Sequence, residues 1–192
     1  MSKQNQSELH HVVIVGGNAG GLELATQLGD LLGKSQKARI TLVDQKLTHI
    51  WKPLLHEIAA GTMNTHDEGT NYFAHSAKHH YEFILGRLDK VERDQKQIIL
   101  AKSQASKYEQ TNETLTLSYD TLILAVGSVS NDFNTTGVKE FCHYLDTPTQ
   151  AEMFQQDLLH LYLDAQNRNS DRELHIGLIG AGATGVELAA EL

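Results

Sequence analysis

A single cysteine, Cys142, among 192 residues excludes a disulfide within the chain and any paired-cysteine redox centre. Next to Phe141, it reads as a small, partly buried packing residue rather than a reactive thiol. Only two prolines are present, Pro53 and Pro148, and each stands where a proline would occupy the first turn of a helix. Basic residues are in deficit: 16 Lys and Arg face 24 Asp and Glu, a formal charge of −8 that 11 histidines could offset in part at low pH. Without a Lys/Arg cluster, nucleic acid and anionic membrane surfaces are poor partners. No apolar run approaches the ~20 residues that span a bilayer. The opening stretch MSKQNQSELHH lacks the apolar segment of a secretory signal, so the expected location is cytoplasmic.

Glycine, by contrast, is concentrated in two places. The apolar strand formers Val12, Val13, Ile14 and Val15 run into Gly16, Gly17, Asn18, Ala19, Gly20 and Gly21, and a helical pattern follows. A tight turn from strand to helix leaves unpaired N–H groups and a positive dipole end facing a pyrophosphate. A second strand, Arg39–Val43, ends in Asp44, 23 residues past Gly21, close to the separation at which a carboxylate can reach a ribose hydroxyl. In the G-x-G-x-x-G pattern the middle position holds Asn18. The expectation is that Asn tolerates left-handed backbone there, with Gly17 and Gly20 sharing the role. The competing reading is a glycine-rich turn that serves packing alone.

The phrase recurs. Residues 176–189, IGLIGAGATGVELA, repeat the opening with Gly180 aligned on Gly16, and all three fingerprint glycines are present as Gly180, Gly182 and Gly185. Two such units imply two bound dinucleotides, which is more specific than either alone.

Between them, a helix is expected over Gly21–Leu32 with Gly33 as its stop, and Gln45–Trp51 as a loop. A helix from Leu54 to Ala60 closes at Gly61, followed by a polar loop over Met63–Thr70. Strands are expected at Glu82–Val91, Gln97–Ala101 and Leu115–Leu117 as an antiparallel meander, with polar turns at Arg93–Lys96 and Gln110–Glu113. A buried parallel strand follows over Tyr119–Gly127, then an irregular Ser128–Val138. Thr147-Pro148-Thr149-Gln150 has capping-box spacing. It opens a helix to about Gln166 with Met153, Leu158, Leu161 and Tyr162 on its packed face. Asn167–Arg172 is a linker, and a strand at Ile176–Ile179 begins the second unit. The expected organisation is a tail over residues 1–10, a dinucleotide-binding domain over 11–146, a connecting helix and linker over 147–173, and the start of a second domain over 174–192. The fold class is α/β: a Rossmann-like parallel sheet with an antiparallel meander, then the first βα unit of a second Rossmann domain, truncated.

From about residue 11 to Leu192 the chain resembles the flavoproteins with two dinucleotide-binding domains, and among them type II, non-proton-pumping NADH:quinone dehydrogenases. GGNAGGLELAT, TLVDQ, HIWKPLLHEIAAG, YDTLILAVGS and GAGATGVELAAEL carry the resemblance. It implies FAD on the first unit, cradled by Gly16, Gly17, Asn18, Ala19, Gly20 and Gly21, with Asp44 on the adenosine ribose. Gly86-Arg87-Leu88 is the candidate for backbone contact to adenine, Leu88 in particular, and Gly127 closes a strand near the flavin. Gly180, Gly182 and Gly185 would hold the NADH pyrophosphate. Glu187 matches a glutamate near the nicotinamide–flavin contact; its alternative is an acid stabilising the first turn of a helix. The implied activity is hydride transfer from NADH to FAD, then two electrons to a quinone. The implied setting is a full-length protein peripheral on the inner face of the cytoplasmic membrane through its C-terminal part, with a homodimer left open. Sulfide:quinone or ferredoxin reductases, or a non-catalytic nucleotide-binding fragment, are the alternatives.

Two constellations remain. His75 and His79 stand four residues apart and could share a helical face as metal ligands, but without a third ligand solvated surface histidines are favoured and no metal is expected. Trp51 either lies under the flavin or anchors a helix, with packing favoured.

Overall fold

The computed structural model describes residues 9–64, 69–101, 114–167 and 174–192. The chain divides into two compact units, one of Met1–His49 with Thr70–Gly127 and one of Ile50–Gly69 with Ser128–Leu192.

In the first unit β1 (His10–Val15), β2 (Ala38–Asp44), β5 (Glu82–Leu85) and β9 (Thr121–Leu124) form a parallel sheet in the order β5-β2-β1-β9. β1 is central and paired on both edges, Val15 with Val43 and with Leu124. Its apolar run is continuous because both faces are covered. Val12 and Ile14 join Ile40, Leu42, Tyr72 and Phe83 on one face, and Val13 and Val15 join Val43, Ile98 and Leu100 on the other. Each fully buried aliphatic contributes about 1.5–3 kcal/mol. The second face is covered by the meander β6 (Arg87–Glu92), β7 (Gln97–Ala101) and β8 (Leu115–Ser118), antiparallel as expected. The turn expected at Gln110–Glu113 lies outside the described residues.

Three local expectations are corrected. The single strand expected over Glu82–Val91 divides at Gly86. β2, the partner of β5, ends at Asp44, and the Gly86 N–H donates to the Asp44 carbonyl at 2.8 Å; beyond it the chain leaves the parallel sheet for the meander. The first helix is α1 (Ala19–Leu28), continued by a π turn over Gly29–Gly33. A Cβ on Gly29 or Gly33 would run into the carbonyls of His79 and His80, so the two glycines admit a close backbone approach. The loop after β2 contains a short strand, β3 (Thr48–His49), which pairs antiparallel with β4 (Thr70–Asn71). An unexpected helix, α3 (Tyr72–Lys78), follows β4; the Asn71 side chain caps it by accepting from the Ala74 N–H at 3.1 Å.

The second unit is helical. A 3-10 turn over Lys52–Leu54 leads into α2 (Leu55–Ala60), which ends at Gly61 in left-handed conformation, φ +84°. α4 (Val138–Phe141) is a single turn, α5 spans Pro148–Asn167 and α6 spans Ala183–Glu191. The Thr147–Gln150 box forms: Gln150 N–H donates to Thr147 Oγ1 at 3.3 Å, while Gln150 Oε1 accepts from the Asp146 N–H at 3.0 Å. The packed face of α5 is corrected to Ala151 and Phe154, which join Leu55, Ile58, Ala59 and Leu188; of the expected residues Leu158 is buried, while Met153, Leu161 and Tyr162 are exposed. The strand expected at Ile176–Ile179 pairs with no strand among the described residues, and Ile179 is 85% exposed. A strand exists by its ladder, and among the described residues none pairs with this segment. No helix among the described residues is long and apolar enough to cross a membrane.

Candidate dinucleotide-binding site

The turn between β1 and α1 brings the expected residues together. Gly16 takes φ +104°, and a Cβ there would strike the Ala125 carbonyl, just past the neighbouring strand β9. Gly21 packs so closely on the Gly16 carbonyl that only hydrogen fits. Asn18 corrects the expectation: its backbone is extended, φ −65° and ψ −179°, so no left-handed tolerance is used. Its side chain does the work instead. Asn18 Oδ1 accepts from the Gly21 N–H at 3.3 Å as the helix N-cap, and Nδ2 donates to the Ala125 carbonyl at 2.5 Å. Gly127, φ +76°, lies beside the same amide.

Gly17 is held at both of its polar groups. Asp44 Oδ2 accepts from its N–H at 2.6 Å, and Tyr72 Oη donates to its carbonyl at 2.5 Å. The other Asp44 oxygen accepts from the Lys46 N–H at 2.9 Å. Tyr72 is only 2% exposed and stacks on Phe83, ring centroids 4.9 Å apart. Burial, then the Asp44 charge, pushes its hydroxyl well above the usual tyrosine range, so it stays a donor. His49 lies against Gly17 and Tyr72; burial lowers its pKa, opposed by the Gly17 backbone and Asp44.

Among these glycines Gly20 is different. It is exposed, and a Cβ there would meet nothing closer than Asn18 Oδ1 at 3.8 Å. The protein itself does not demand glycine at this position, at the first turn of a helix whose leading N–H groups lack intrahelical acceptors. An anion approaching the backbone would demand it, so the cradle fits a pyrophosphate.

The second copy reproduces the geometry. Gly180 takes φ +109°, Gly185 packs on the Gly180 carbonyl, and Gly182 is the extended N-cap at φ −75° and ψ 173°. A Cβ on Gly182 would meet nothing within 4 Å among the described residues. Here, too, one glycine is free of any demand from the protein.

The remaining expected residues fall elsewhere. Leu88 pairs with Leu100 at the start of the meander, and its side chain packs with the cluster beneath the sheet. Glu187 lies past the first turn of α6, which holds no acid, so the dipole alternative falls. Its Oε2 stands 3.4 Å from His56 Nδ1 on α2. Trp51 is 52% exposed and does not anchor the helix by burial. Lys52 instead ties its unit together, with Nζ 2.8 Å from Asp146 Oδ1 and 2.9 Å from the Ser128 carbonyl. His75 and His79 do share a face, their rings stacked at 4.3 Å, but their Nδ1 atoms are engaged by Tyr81 and Asp30 respectively. Tyr72 lies outside every segment that carries the resemblance, while His49 and His56 fall within HIWKPLLHEIAAG without a role assigned to them; their positions in the fold single all three out.

A parallel sheet whose central strand turns into a glycine-lined helix N-terminus, with an acid ending the next strand, defines a dinucleotide-binding α/β protein. The chain belongs to the pyridine nucleotide-disulphide oxidoreductase family, whose model matches residues 10–192. It is 43% identical over 199 residues to a type II NADH:quinone oxidoreductase of Haemophilus influenzae, covering 96% of this chain and 45% of the relative. Identity to the Staphylococcus aureus type II NADH:quinone oxidoreductase is 27% over 183 residues, 94% of this chain and 42% of that one. The chain thus spans under half the length of these relatives. In fold it is similar to NDH2 of Plasmodium falciparum in complex with NADH, TM-score 0.78 at 24% identity over 95% of this chain and 36% of that one. The sulfide:quinone oxidoreductase of Aquifex aeolicus aligns with TM-score 0.66 at 24% identity, over 81% and 33%.

Proposed function

We propose that this chain carries the FAD-holding part and the first NADH-holding elements of a type II NADH:quinone oxidoreductase. The observation that carries the reading is the duplicated turn, with its first glycine at φ +104° in one copy and +109° in the other. Similarity to the Haemophilus influenzae enzyme supports the choice within the family.

In this reading Gly16, Gly17, Asn18, Ala19, Gly20 and Gly21 form the turn that cradles the FAD pyrophosphate, with the Gly16, Gly17 and Gly21 N–H groups held within the protein by the Val43 carbonyl, Asp44 and Asn18, and Asp44 serves the adenosine ribose. Gly86, whose N–H donates to the Asp44 carbonyl, and Gly127, beside Asn18, border the same site, and the backbone of Gly86 to Leu88 is the candidate contact to adenine. Gly180, Gly182 and Gly185 receive the NADH pyrophosphate, and Glu187 is the carboxylate beside the reacting nicotinamide. When bound, the flavin supplies hydride acceptance and two-electron delivery to a quinone. The residues of this chain bind and orient, and Asn18, Tyr72 and Asp44 keep the turn in one shape before any ligand arrives. A sulfide:quinone reductase would be expected to place cysteines at the flavin, and Cys142 is the one cysteine here. Peripheral attachment to the inner face of the cytoplasmic membrane, through C-terminal sequence outside this chain, belongs to the same proposal, and so does homodimer formation.

The test is spectroscopic. A chain of the relatives' full length carrying this sequence should purify with bound FAD, lose the oxidised flavin absorbance on adding NADH, and regain it with a soluble quinone. Flavin that NADH leaves oxidised would overturn the reading.

A further inference from the structure

We propose that His56 is the positioning residue for Glu187, a role that rests on the reading of Glu187 as the carboxylate beside the nicotinamide. His56 is 8% exposed, on a helix that shares a core with α6 through Leu55, Ile58 and Leu188. Its Nδ1 donates to the Pro53 carbonyl at 2.7 Å, which fixes the ring. The same Nδ1 edge faces Glu187 Oε2 at 3.4 Å, and Nε2 faces Glu191 Oε1 at 3.4 Å.

Glu187 and Glu191 are four residues apart on α6, a spacing at which like charges repel on a helix surface. The sequences of α2, LHEIAA, and α6, ATGVELAAE, hold His56 as their only basic side chain. Glu57 adds a third carboxylate next to His56 and Glu191, and the Thr62 hydroxyl lies 3.5 Å from Glu191 Oε2. The buried His56 ring is therefore the side chain on these two helices that lies against both acids and restrains them. Glu187 is half-exposed on its own helix and has many rotamers; the fixed ring edge selects among them. Glu191 lies against the other ring nitrogen, and turning the ring away would give up the Pro53 carbonyl.

The experiment is a double-mutant cycle in a chain of the relatives' full length carrying this sequence, loaded with FAD, with flavin reduction by NADH followed in a single turnover. His56→Ala is expected to slow reduction about tenfold at saturating NADH with little change in the NADH concentration needed, and to cost nothing further in a Glu187→Gln background. His56→Gln, which keeps a donor for the Pro53 carbonyl, should recover part of the rate and covers the case in which His56→Ala does not fold. Losses that multiply in the double variant would overturn the proposal. A slow Glu187→Gln variant beside a normal His56→Ala would overturn it while leaving the role of Glu187 intact. A normal Glu187→Gln variant would remove that role and the proposal with it. Independently of activity, His56→Ala should lower the urea midpoint of the 192-residue chain less when Glu187 and Glu191 are both glutamine; an unchanged loss would show that His56 does not act on the carboxylates.

Discussion

The hydroxyl of Tyr72 lies 2.5 Å from the carbonyl oxygen of Gly17, and this contact secures the buried side of the glycine turn. Gly17 is buried, so its carbonyl has no water to replace the phenol. Tyr72→Phe removes the donor and keeps the ring stacked on Phe83. The expected cost is about 1–3 kcal/mol, the penalty for a buried acceptor left alone. Urea unfolding of the chain measures it, and FAD retention should fall in parallel. A variant as stable as the parent, with unchanged FAD retention, would show that the turn keeps its shape without Tyr72.

Asp44 has two tasks that one substitution removes together. Its carboxylate accepts from the Gly17 and Lys46 N–H groups, and it is the proposed ribose ligand. Asp44→Ala should weaken FAD retention by roughly 1.5–3 kcal/mol, the worth of a hydrogen bond to a charged group. Equilibrium dialysis against FAD checks this. Retention equal to that of the parent would exclude Asp44 from the ribose.

The clearest separation of fold from function is expected at Gly20 and Gly21. Gly21→Ala drives a methyl into the Gly16 carbonyl and should destabilise the chain with or without ligand. Gly20→Ala meets only Asn18 Oδ1 at 3.8 Å. Without ligand it should be neutral or stabilising by about 0.4–1 kcal/mol, because alanine narrows the unfolded ensemble. FAD retention should nonetheless drop, since the methyl occupies the approach to the helix N-terminus. Melting curves and FAD titration of both variants test the pair; an unaltered FAD titration for Gly20→Ala would place the pyrophosphate elsewhere.

How much of this was legible in the sequence depends on the range of the interactions. β1, β2 and β7 were readable because their apolar runs are local facts, and Gly61 closes α2 as a left-handed cap. The break at Gly86 was not readable, since Phe83 to Val91 is strand-like throughout and only the end of β2 at Asp44 divides it. α3 escaped because YFAHSAK lacks an apolar repeat; Asn71 and the stacking of Tyr72 on Phe83 support it instead. The glycine motif announced the turn, but the capping role of Asn18 required the Ala125 carbonyl, which β9 delivers from far along the chain. The pairing of His56 with Glu187 likewise joins residues that only the meeting of α2 and α6 brings together.

Three histidines set an acid limit on stability. His11, buried with Nε2 2.8 Å from Thr41 Oγ1, has its pKa lowered from 6.5 mainly by burial and then by Arg39. His49 and His75 are lowered as well, burial being the leading cause in each. A histidine with a depressed native pKa favours folding while neutral. Its contribution is present above the unfolded value of about 6.5 and is lost as pH falls toward the folded one. Urea midpoints should therefore decline below about pH 6.5, and His11→Gln should flatten the decline. A midpoint that holds steady down to pH 5 would contradict this account.

The last prediction concerns the 192-residue chain on its own, which should not turn over NADH with a quinone. The second glycine turn and α6 are formed, but residues 176–179 pair with no strand among the described residues. A nicotinamide held only at its pyrophosphate has nothing to fix the ring, and hydride transfer depends on orientation to within a fraction of an ångström. Ile179, Leu178 and Ile176 are exposed as well, with backbone groups open to pairing, so self-association is expected as protein concentration rises. The assay adds FAD and a soluble quinone to the purified chain, follows NADH oxidation, and monitors particle size by light scattering. Turnover matching that of a full-length relative would mean that the elements described here suffice for the reaction, and that the open segment at 176–179 finds its order when NADH binds.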